Sequence, residues 1–351
     1  MTLCKFPFQQ VVLFDYDGKD SQQYLPCMES FQVDGVCETH KLPNIMNWEG
    51  EQLDPLQVFR HEKFTELQAS HLAGMKHPWC KYCWESDNPR YKNLNQYEKD
   101  CTGLMIDFYC SNQCNLACRH CTPFASSKLK REASDEIFEL TDGFFFDKPQ
   151  NSLKSVQWDW IKKNMHKISG LTLSGGEPLL MKEVIEVLSR KPVAHMNLQL
   201  RTNGLLLGEH VEMLNRFNGV YLHLSVDAVD DLYSYIRYPG KFEDLENSFH
   251  KYKDNATNLR DCYISVVVNA LNALNLNEIE LWAEHEVKYV EITPKHRGIG
   301  IRSMPKELCP WDVPVKPNKD KMKREIEYFD RTRNQNYRDF LHPELIRWLD
   351  D

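Results

Sequence analysis

The sequence predicts an α/β fold, a partial (β/α)6 TIM-type barrel with smaller segments before and after it. Short apolar runs alternate with longer amphipathic runs through the middle of the chain, and the apolar runs number six. Polar motifs follow most of the apolar runs. Strands that alternate with helices at this spacing indicate βαβ units around a parallel sheet.

The predicted strands and helices of the barrel follow from these runs in order. Strand-like runs cover residues 104–110, 170–174, 196–202, 219–227, 262–269 and 287–293. Helical patterns cover residues 155–168, 181–190, 208–217, 242–253 and 275–285. Six repeats fit an incomplete barrel better than the complete eight-stranded one. In such folds the chemistry takes place at the carboxyl ends of the strands, so we expect the functional site there.

Two segments flank the predicted barrel, which we assign to residues 101–294. Residues 1–100 show no regular pattern, carry five cysteines and are expected to form a small, irregular, cysteine-rich N-terminal domain. Residues 295–351 are expected to form a C-terminal extension with a helix over 319–332.

Composition and charge argue against several classes of partner. The formal net charge is −8, which argues against a broad phosphate-binding surface and therefore against nucleic acid as a partner. No apolar run reaches the roughly 20 residues of a membrane-spanning helix, so we expect no membrane partner. The first ten residues lack the apolar stretch of a secretory signal, and the cytoplasm is the expected location.

The twelve cysteines are clustered along the chain. Cys110, Cys114, Cys118 and Cys121 lie close together, and Cys80 and Cys83 form a second group. A chain of this length does not depend on disulfides for its stability. In a reducing compartment, clustered cysteines more often bind metal or take part in chemistry.

Cys114, Cys118 and Cys121 have the spacing C-x3-C-x2-C, directly after the first barrel strand. Three thiolates can hold three irons of a [4Fe–4S] cluster and leave the fourth iron open to a small ligand, whereas electron-transfer clusters have four cysteines. The alternative is a zinc site, for which Cys110 or His120 could supply the fourth ligand. The spacing alone leaves both interpretations open.

This spacing, after the first strand of a partial barrel, resembles that of the radical S-adenosylmethionine (SAM) superfamily. The resemblance implies that the open iron binds the amino and carboxylate groups of SAM. It also implies that the reduced cluster cleaves SAM to methionine and a 5′-deoxyadenosyl radical. The family places an aromatic residue before the third cysteine; here it is His120, a planar but polar ring expected near the adenine.

A second motif, Gly175-Gly176-Glu177-Pro178, follows the second predicted strand. Paired glycines permit close backbone approach, although a glycine-rich turn is also common between a strand and a helix. Its position is similar to that of the family motif that binds the SAM amino group. The resemblance therefore implies that Glu177 accepts a hydrogen bond from the ammonium group.

The later strands also end in polar residues that resemble SAM-contacting positions of the family. These are Thr202, Asn203 and Gly204, then Ser225, Asp227 and Arg237, then Asn269 and Asn272, and finally Ile292, Thr293 and Pro294 near the expected adenine. Each position can also be a helix cap or a turn. For Thr202 and Asn272 the two interpretations are equally favoured. For Ser225 and Arg237 we favour contact with the ribose and carboxylate of SAM, because arginine suits a carboxylate.

The N-terminal cysteines resemble an auxiliary-cluster module, of the SPASM or twitch type, that one group of radical SAM enzymes carries before the barrel. The elements of this resemblance are Cys4 beside Phe6-Pro7, Asp17-Gly18, Pro26-Cys27 and the pair Cys80 and Cys83. The resemblance implies a second [4Fe–4S] cluster with Cys4, Cys27, Cys80 and Cys83 as its ligands.

The chain departs from the usual form of this module in two places. Met28 follows Cys27 where relatives often have a second cysteine, and the segment between Gly18 and Cys27 is longer than usual. Zinc in the same four-cysteine site and a redox-active pair at Cys80 and Cys83 therefore remain alternatives.

The remaining cysteines carry weaker expectations. Cys101 and Cys110 are expected to be buried as small hydrophobic residues. Cys262 and Cys309 could donate a hydrogen atom to a substrate radical, but packing is favoured for both. Cys37 has no assigned role.

The predicted function is hydrogen-atom abstraction by a radical SAM enzyme, with the redox chemistry of an oxidoreductase. The substrate is expected to be a peptide or protein side chain, or a small metabolite, and the reductant a flavodoxin or ferredoxin. The contrasting interpretation is a non-enzymatic scaffold with zinc in both cysteine clusters.

Overall fold

The structure is a computed structural model of the 351-residue chain. It describes residues 4–15, 22–25, 32–33, 36–37, 55–85, 92–123, 125–132, 134–140, 155–190, 193–291 and 318–351. Of the positions singled out above, Asp17, Gly18, residues 26–28, Cys309 and residues 292–294 lie outside these ranges.

The described residues form ten strands. These are β1 (Gln10–Asp15), β2 (Gln22–Leu25), β3 (Gln32–Val33), β4 (Val36–Cys37), β5 (Leu104–Tyr109), β6 (Ile168–Ser174), β7 (Asn197–Thr202), β8 (Gly219–Ser225), β9 (Leu259–Val268) and β10 (Glu286–Glu291). Strands β5 to β10 correspond to the six predicted strands of the barrel, with small shifts at their ends.

Eight of these strands form one sheet in the order β10-β9-β8-β7-β6-β5-β1-β2. From β5 to β10 every neighbouring pair is parallel, and the strands follow one another in chain order. Among the described residues β10 pairs only with β9, so the sheet is not closed. The predicted partial (β/α)6 barrel is therefore confirmed.

The N-terminal segment contains four strands that the sequence patterns did not predict, and two of them join the large sheet. Strand β1 pairs in parallel with β5, and β2 pairs with β1 in the antiparallel direction. Strands β3 and β4 form a separate two-stranded sheet.

Fifteen α-helices lie within the described residues. They are α1 (Phe6–Gln9), α2 (Pro55–Val58), α3 (Glu62–Leu72), α4 (Lys81–Glu85), α5 (Gln96–Asp100), α6 (Ser127–Glu132), α7 (Asp135–Leu140), α8 (Ser155–Asn164), α9 (Lys182–Arg190), α10 (Val211–Leu214), α11 (Asp230–Ile236), α12 (Phe242–Asn255), α13 (Leu276–Trp282), α14 (Lys319–Arg333) and α15 (Pro343–Asp350). Short 3-10 helices cover Pro78–Cys80, Met165–Lys167, Pro178–Leu180, Leu207–Glu209 and Tyr337–Asp339. No helix in this part of the chain is both long enough and apolar enough to cross a membrane.

Helices α8, α9, α10, α12 and α13 occupy the five predicted helical regions. Helix α14 confirms the predicted C-terminal helix. It begins after Asn318, whose side chain accepts a hydrogen bond from the Lys321 amide, and it ends at Asn334, which has the left-handed φ of 52°. Asparagine is common at the start of a helix because its side chain accepts from a free backbone amide. It is common at the end because it adopts the left-handed conformation more readily than most residues.

The two faces of the parallel sheet differ in chemistry. Alternate residues of a strand point to opposite faces, and one set packs with the helices in the main hydrophobic core. This outer set includes Ile106, Leu171, Leu198, Leu222 and Ile264. The residues between them form the inner face, and many are polar. They include Asp107, Thr172, Gln199, Tyr221 and Tyr263.

Candidate active site at the carboxyl ends of the strands

The three cysteines of the C-x3-C-x2-C motif lie in the loop after β5, which we call the cysteine loop (residues 110–121). The loop leaves the sheet at Cys110, whose backbone amide donates to the Ser174 carbonyl of β6 at 2.8 Å. Further along, the Cys114 amide donates to the Ser127 hydroxyl at 3.2 Å, and the Leu116 amide donates to the Cys114 sulfur at 3.4 Å. The loop is thus folded back on itself at the carboxyl end of the first barrel strand.

The thiols of this loop are close enough to interact electrostatically. Burial raises the pKa of Cys114 to about 12, and the neighbouring Cys121 thiol raises it as well. Burial also raises the pKa of Cys118 well above its usual range, with Cys121 and Cys114 adding to the effect. The Arg237 guanidinium acts in the opposite direction on both groups. Cys114 and Cys118 therefore lie beside a buried cation, and a bound metal centre would displace their protons.

The cysteine loop supplies three thiols as metal donors. The three thiolates of an open [4Fe–4S] cluster bind three different irons, so three neighbouring thiols in one loop fit a cluster in number and chemistry. Within the described ranges, no group of three His, Cys, Asp or Glu side chains is already arranged around a single ion.

Gly175 and Gly176 pack against the backbone of the cysteine loop. The Gly176 amide donates to the Ser111 carbonyl at 2.7 Å, and the Glu177 amide donates to the Gln113 carbonyl at 2.8 Å. A Cβ atom on Gly176 would lie 2.3 Å from the Gln113 oxygen. Gly175 has a φ of +129°, which favours glycine. The close backbone approach that the sequence predicted is made to the cysteine loop.

The Glu177 carboxylate is fully buried and hydrogen-bonded within the protein. It accepts from the Thr202 hydroxyl at 2.9 Å and from the Asn203 amide at 2.8 Å, both at the end of β7. It also accepts from the Leu179 amide at 3.1 Å. Burial raises its pKa, and these hydrogen bonds lower it. Glu177 therefore joins the turn after β6 to the end of β7, with Pro178 starting the short helix that follows.

Asp227, Arg237 and His120 lie together at the end of β8. Arg237 Nη1 donates to Asp227 Oδ2, and His120 Nε2 lies 3.3 Å from the same oxygen. The other oxygen, Asp227 Oδ1, accepts from the Val267 amide at 2.7 Å. Burial lowers the pKa of Arg237, but Cys118 and Asp227 raise it above its ordinary value overall. This buried ion pair connects β8 and β9 to the cysteine loop.

The other strand-end residues fall into two groups. Asn203 lies beside the cysteine loop, since its side-chain amide donates to Asn115 Oδ1 at 2.8 Å. Asn272 instead joins strand ends, because its side chain donates to the Asp227 carbonyl at 2.9 Å and to the Val267 carbonyl at 3.0 Å. Ser225 ends β8 and is partly exposed at the carboxyl edge of the sheet.

Sequence reasoning missed Arg119, which lies inside the cysteine loop and is fully buried. Its Nη2 atom donates to Asp330 Oδ1 of α14 at 2.7 Å and to Gln335 Oε1 at 2.9 Å. Its guanidinium carbon lies 3.7 Å from the centre of the Tyr235 ring. A charged residue between two motif cysteines was the only available signal, and its partner lies 211 residues away.

Arg333 of α14 makes a second connection to the cysteine loop. Its Nη2 atom donates to the Ala117 carbonyl at 2.7 Å and to Glu132 Oε2 of α6 at 2.6 Å. Its Nε atom donates to the same Glu132 oxygen at 3.0 Å. The C-terminal extension therefore holds the loop between Ala117 and Arg119.

The N-terminal cysteines lie in two environments. Cys4 is buried in a small core with Phe6 and Tyr97. Cys80 ends the short helix Pro78–Cys80, and its sulfur lies 3.4 Å from His71 Nε2 of α3, while Cys83 lies in α4. The fourth ligand implied by the resemblance, Cys27, is outside the described residues.

The cysteines expected to be packing residues are buried. Cys101, Cys110 and Cys262 are all at most 7% exposed, and burial raises the pKa of Cys101 to about 11. The burial expected for Cys101 and Cys110 is confirmed.

Comparison with known families decides the identity of the barrel. The family model of the Radical SAM superfamily matches residues 108–286, which is half of the chain. The chain belongs to the radical SAM superfamily. Membership in the radical SAM superfamily implies a SAM-binding [4Fe–4S] cluster. The match includes the cysteine loop and the barrel from the end of β5 to the start of β10.

Two curated radical SAM relatives are similar to part of the chain. The sporulation killing factor maturation protein SkfB of Bacillus subtilis is 26% identical over 48% of this chain and 36% of its own length. GTP 3′,8-cyclase of Thermodesulfovibrio yellowstonii is 25% identical over 62% of this chain and 61% of its own length. The chain thus spans about one third to three fifths of the relatives it matches.

Among solved structures, native anSMEcpe with bound AdoMet aligns with 65% of this chain and 61% of its own, at 16% identity and a TM-score of 0.41.

Proposed function

We propose that this chain is a radical SAM enzyme in which Cys114, Cys118 and Cys121 hold the cluster. The observation that carries the proposal is the group of three interacting thiols in one loop, at the carboxyl end of the first of six parallel strands. When bound, the cluster supplies the electron that cleaves SAM to methionine and a 5′-deoxyadenosyl radical, which abstracts a hydrogen atom from substrate.

The residues around the loop have distinct proposed roles. Arg237 places a buried positive charge beside the thiols, which suits the carboxylate of SAM. His120 and Asp227 lie beside Arg237 and would shape the pocket for the nucleoside. Asn203 and Ser225 are the further polar contacts that we assign to SAM.

In this proposal the turn from Gly175 to Pro178 fixes the shape of the cysteine loop. The two glycines fit the loop backbone, and Glu177 ties the turn to the end of β7. The turn would thereby present its backbone to the amino group of SAM, while the Glu177 carboxylate keeps its internal partners.

We also propose that residues 1–100 carry a second, auxiliary [4Fe–4S] cluster with Cys4, Cys27, Cys80 and Cys83 as ligands. Residues 101–294 form the radical SAM barrel in this division, and residues 295–351 the extension that holds the cysteine loop. Zinc at the N-terminal cysteines is the alternative. Iron and zinc analysis of anaerobically purified Cys83→Ala and wild-type protein distinguishes them.

The substrate is proposed to be a peptide or protein side chain, or a small metabolite. The names of the two relatives point in both directions, since one is a maturation protein and the other a cyclase of GTP. A flavodoxin or ferredoxin is the proposed electron donor.

The deciding experiment is SAM cleavage by the reconstituted protein. Anaerobic protein with dithionite and SAM is expected to release 5′-deoxyadenosine, and Cys118→Ala is expected to abolish the release. Cys110→Ala is the matched control, because Cys110 is also buried but lies outside the triplet. Undiminished product from Cys118→Ala would refute the assignment. A colourless, zinc-containing and iron-free protein would favour the scaffold interpretation.

A further inference from the structure

The inner face of the sheet is unusually polar just below the cysteine loop. The interior of a parallel barrel is normally filled by bulky, branched apolar residues. Here the register places Arg201, His223, Tyr263 and Glu286 side by side on β7 to β10. The next row toward the carboxyl ends contains Ser225, Ser265 and Lys288.

These residues share the inner face by the alternation of the strands. Leu200 and Leu222 belong to the core under the helices, so their neighbours Arg201 and His223 point to the opposite face. Tyr263 is fixed there by contact, since its hydroxyl is hydrogen-bonded to His223 Nδ1. Lys288 Nζ lies 3.9 Å from the centre of the Tyr263 ring. These side chains therefore form one continuous polar surface on the inner face of the sheet.

Arg201 carries a positive charge that the described residues do not compensate. It is only partly exposed, and it makes no hydrogen bond or ion pair with any residue that the structure describes. Lys288, in contrast, lies 3.2 Å from Glu286 Oε2. A half-buried guanidinium is a strong donor to carboxylate and phosphate oxygens.

Most acidic residues of the inner face are separated from Arg201 along the strands, while Glu286 lies in the same row. Asp107 and Asp261 lie in the row before, together with Thr172, Gln199 and Tyr221. Glu286 is already engaged by Lys288. Negative charge is thus placed toward the amino ends of the strands, and the uncompensated positive charge lies nearer to the cysteine loop.

The position of Arg201 relates this surface to the proposed reaction. Arg201 lies two residues before Asn203, whose side chain contacts Asn115 of the cysteine loop. A molecule bound at Arg201 would therefore lie on the inner face of the barrel, next to the proposed SAM site.

We propose that Arg201, His223, Tyr263 and Lys288 form a binding site for an anionic group of the substrate, a phosphate or a carboxylate. Arg201 supplies the charge, and the hydrogen-bonded pair of His223 and Tyr263 supplies polar contacts beside it. The assignment of this anion as part of the substrate rests on the proposed function. The binding of the anion itself does not.

The test is direct binding to the full-length, reconstituted protein without SAM or reductant. Inorganic phosphate and succinate are titrated separately by calorimetry. We expect one of them to bind, and Arg201→Gln to weaken that binding about tenfold, as for the loss of a charge-assisted hydrogen bond. Arg260→Gln is the control, because Arg260 lies on β9 but has an exposed side chain.

A second variant separates the site from general effects on folding. Tyr263→Phe keeps the ring beside Lys288 but removes the hydroxyl bonded to His223, and it is expected to weaken binding of the same anion by a smaller factor. Phosphate binding alone identifies a phosphorylated substrate, and succinate binding alone a carboxylate.

Failure of both probes to bind, or equal binding by wild type and Arg201→Gln, would overturn the proposal. The protein could bind the anion through Arg201 and yet release no 5′-deoxyadenosine from SAM. That result would contradict the proposed function but support the anion site.

Discussion

The cysteine loop is held from two sides, by the turn after β6 and by helix α14, and the two sides use different interactions. The β6 turn meets the loop backbone to backbone, at glycines where a Cβ atom would collide. Helix α14 meets it through the long side chains of Arg119 and Arg333, which are buried with their charged partners. The first contact depends on shape, and the second on charge compensation.

This difference predicts different responses to substitution. A steric contact fails when atoms are added, whereas a buried ion pair fails when one partner loses its charge. The following variants test each side against a control that lies away from the loop.

Asp330→Asn is expected to have the largest effect. It leaves the buried Arg119 guanidinium without its counter-ion, and breaking a buried pair in this way costs about 3–5 kcal/mol of unfolding free energy. Urea denaturation of the wild type and the variant measures the change. Glu136→Gln is the control, because its partner Arg331 is also on α14 but the pair is exposed, and exposed pairs contribute little. Equal losses in the two variants would show that burial of the Arg119 pair is unimportant.

Gly176→Ala is expected to have an intermediate effect, confined to the loop. The added methyl group would meet the Gln113 carbonyl oxygen at 2.3 Å, and overpacking of this kind costs about 1–3 kcal/mol. Because this cost falls on the loop that holds the cluster, we expect the variant to lose iron to a chelator about tenfold faster than the wild type. Iron release from reconstituted protein is followed anaerobically. Gly103→Ala is the control, because the same methyl group at that position meets only the Ser169 side chain, at 3.2 Å. Wild-type iron retention by Gly176→Ala would refute the steric role of the turn.

Arg333→Lys is expected to have the smallest effect. Lysine keeps the charge near Glu132 but cannot reproduce the planar fork that also reaches the Ala117 carbonyl. Loss of one hydrogen bond, worth about 0.5–1.5 kcal/mol, predicts about threefold faster iron release. The same assay on Arg331→Lys, on the exposed face of α14, should give the wild-type rate. A wild-type rate for Arg333→Lys as well would show that charge alone suffices on this side.

The barrel could be predicted from the sequence because its strands and helices have clear periodicities. The six parallel strands and the five helices between them were expected close to where they lie. Strand β1 was missed because its partner β5 lies about 95 residues further along the chain, and an apolar run alone does not identify its neighbour. Pairing over such a separation depends on tertiary structure rather than on local pattern.

The candidate site could be predicted only in part, for a similar reason. The position of Gly176 after β6 was evident, but its contact is with the loop backbone, which no pattern of side chains reveals. The burial of Arg119 depends on its bond to Asp330 of α14, which lies 211 residues further along the chain and which no local pattern reveals. Arg201 and His223 did have a signal, since polar residues alternate with leucines in β7 and β8, as expected for a strand with one polar face.

The pairing of β1 with β5 also protects an edge of the sheet. An unpaired edge strand exposes backbone groups that can join another chain and lead to aggregation. Strand β1 covers the edge of β5, the strand that leads into the cysteine loop. A chain shortened to begin at residue 92 would lose this cover. We expect the shortened chain to aggregate through this open β-edge and through the core surface that the loss of Phe64 and Leu67 exposes.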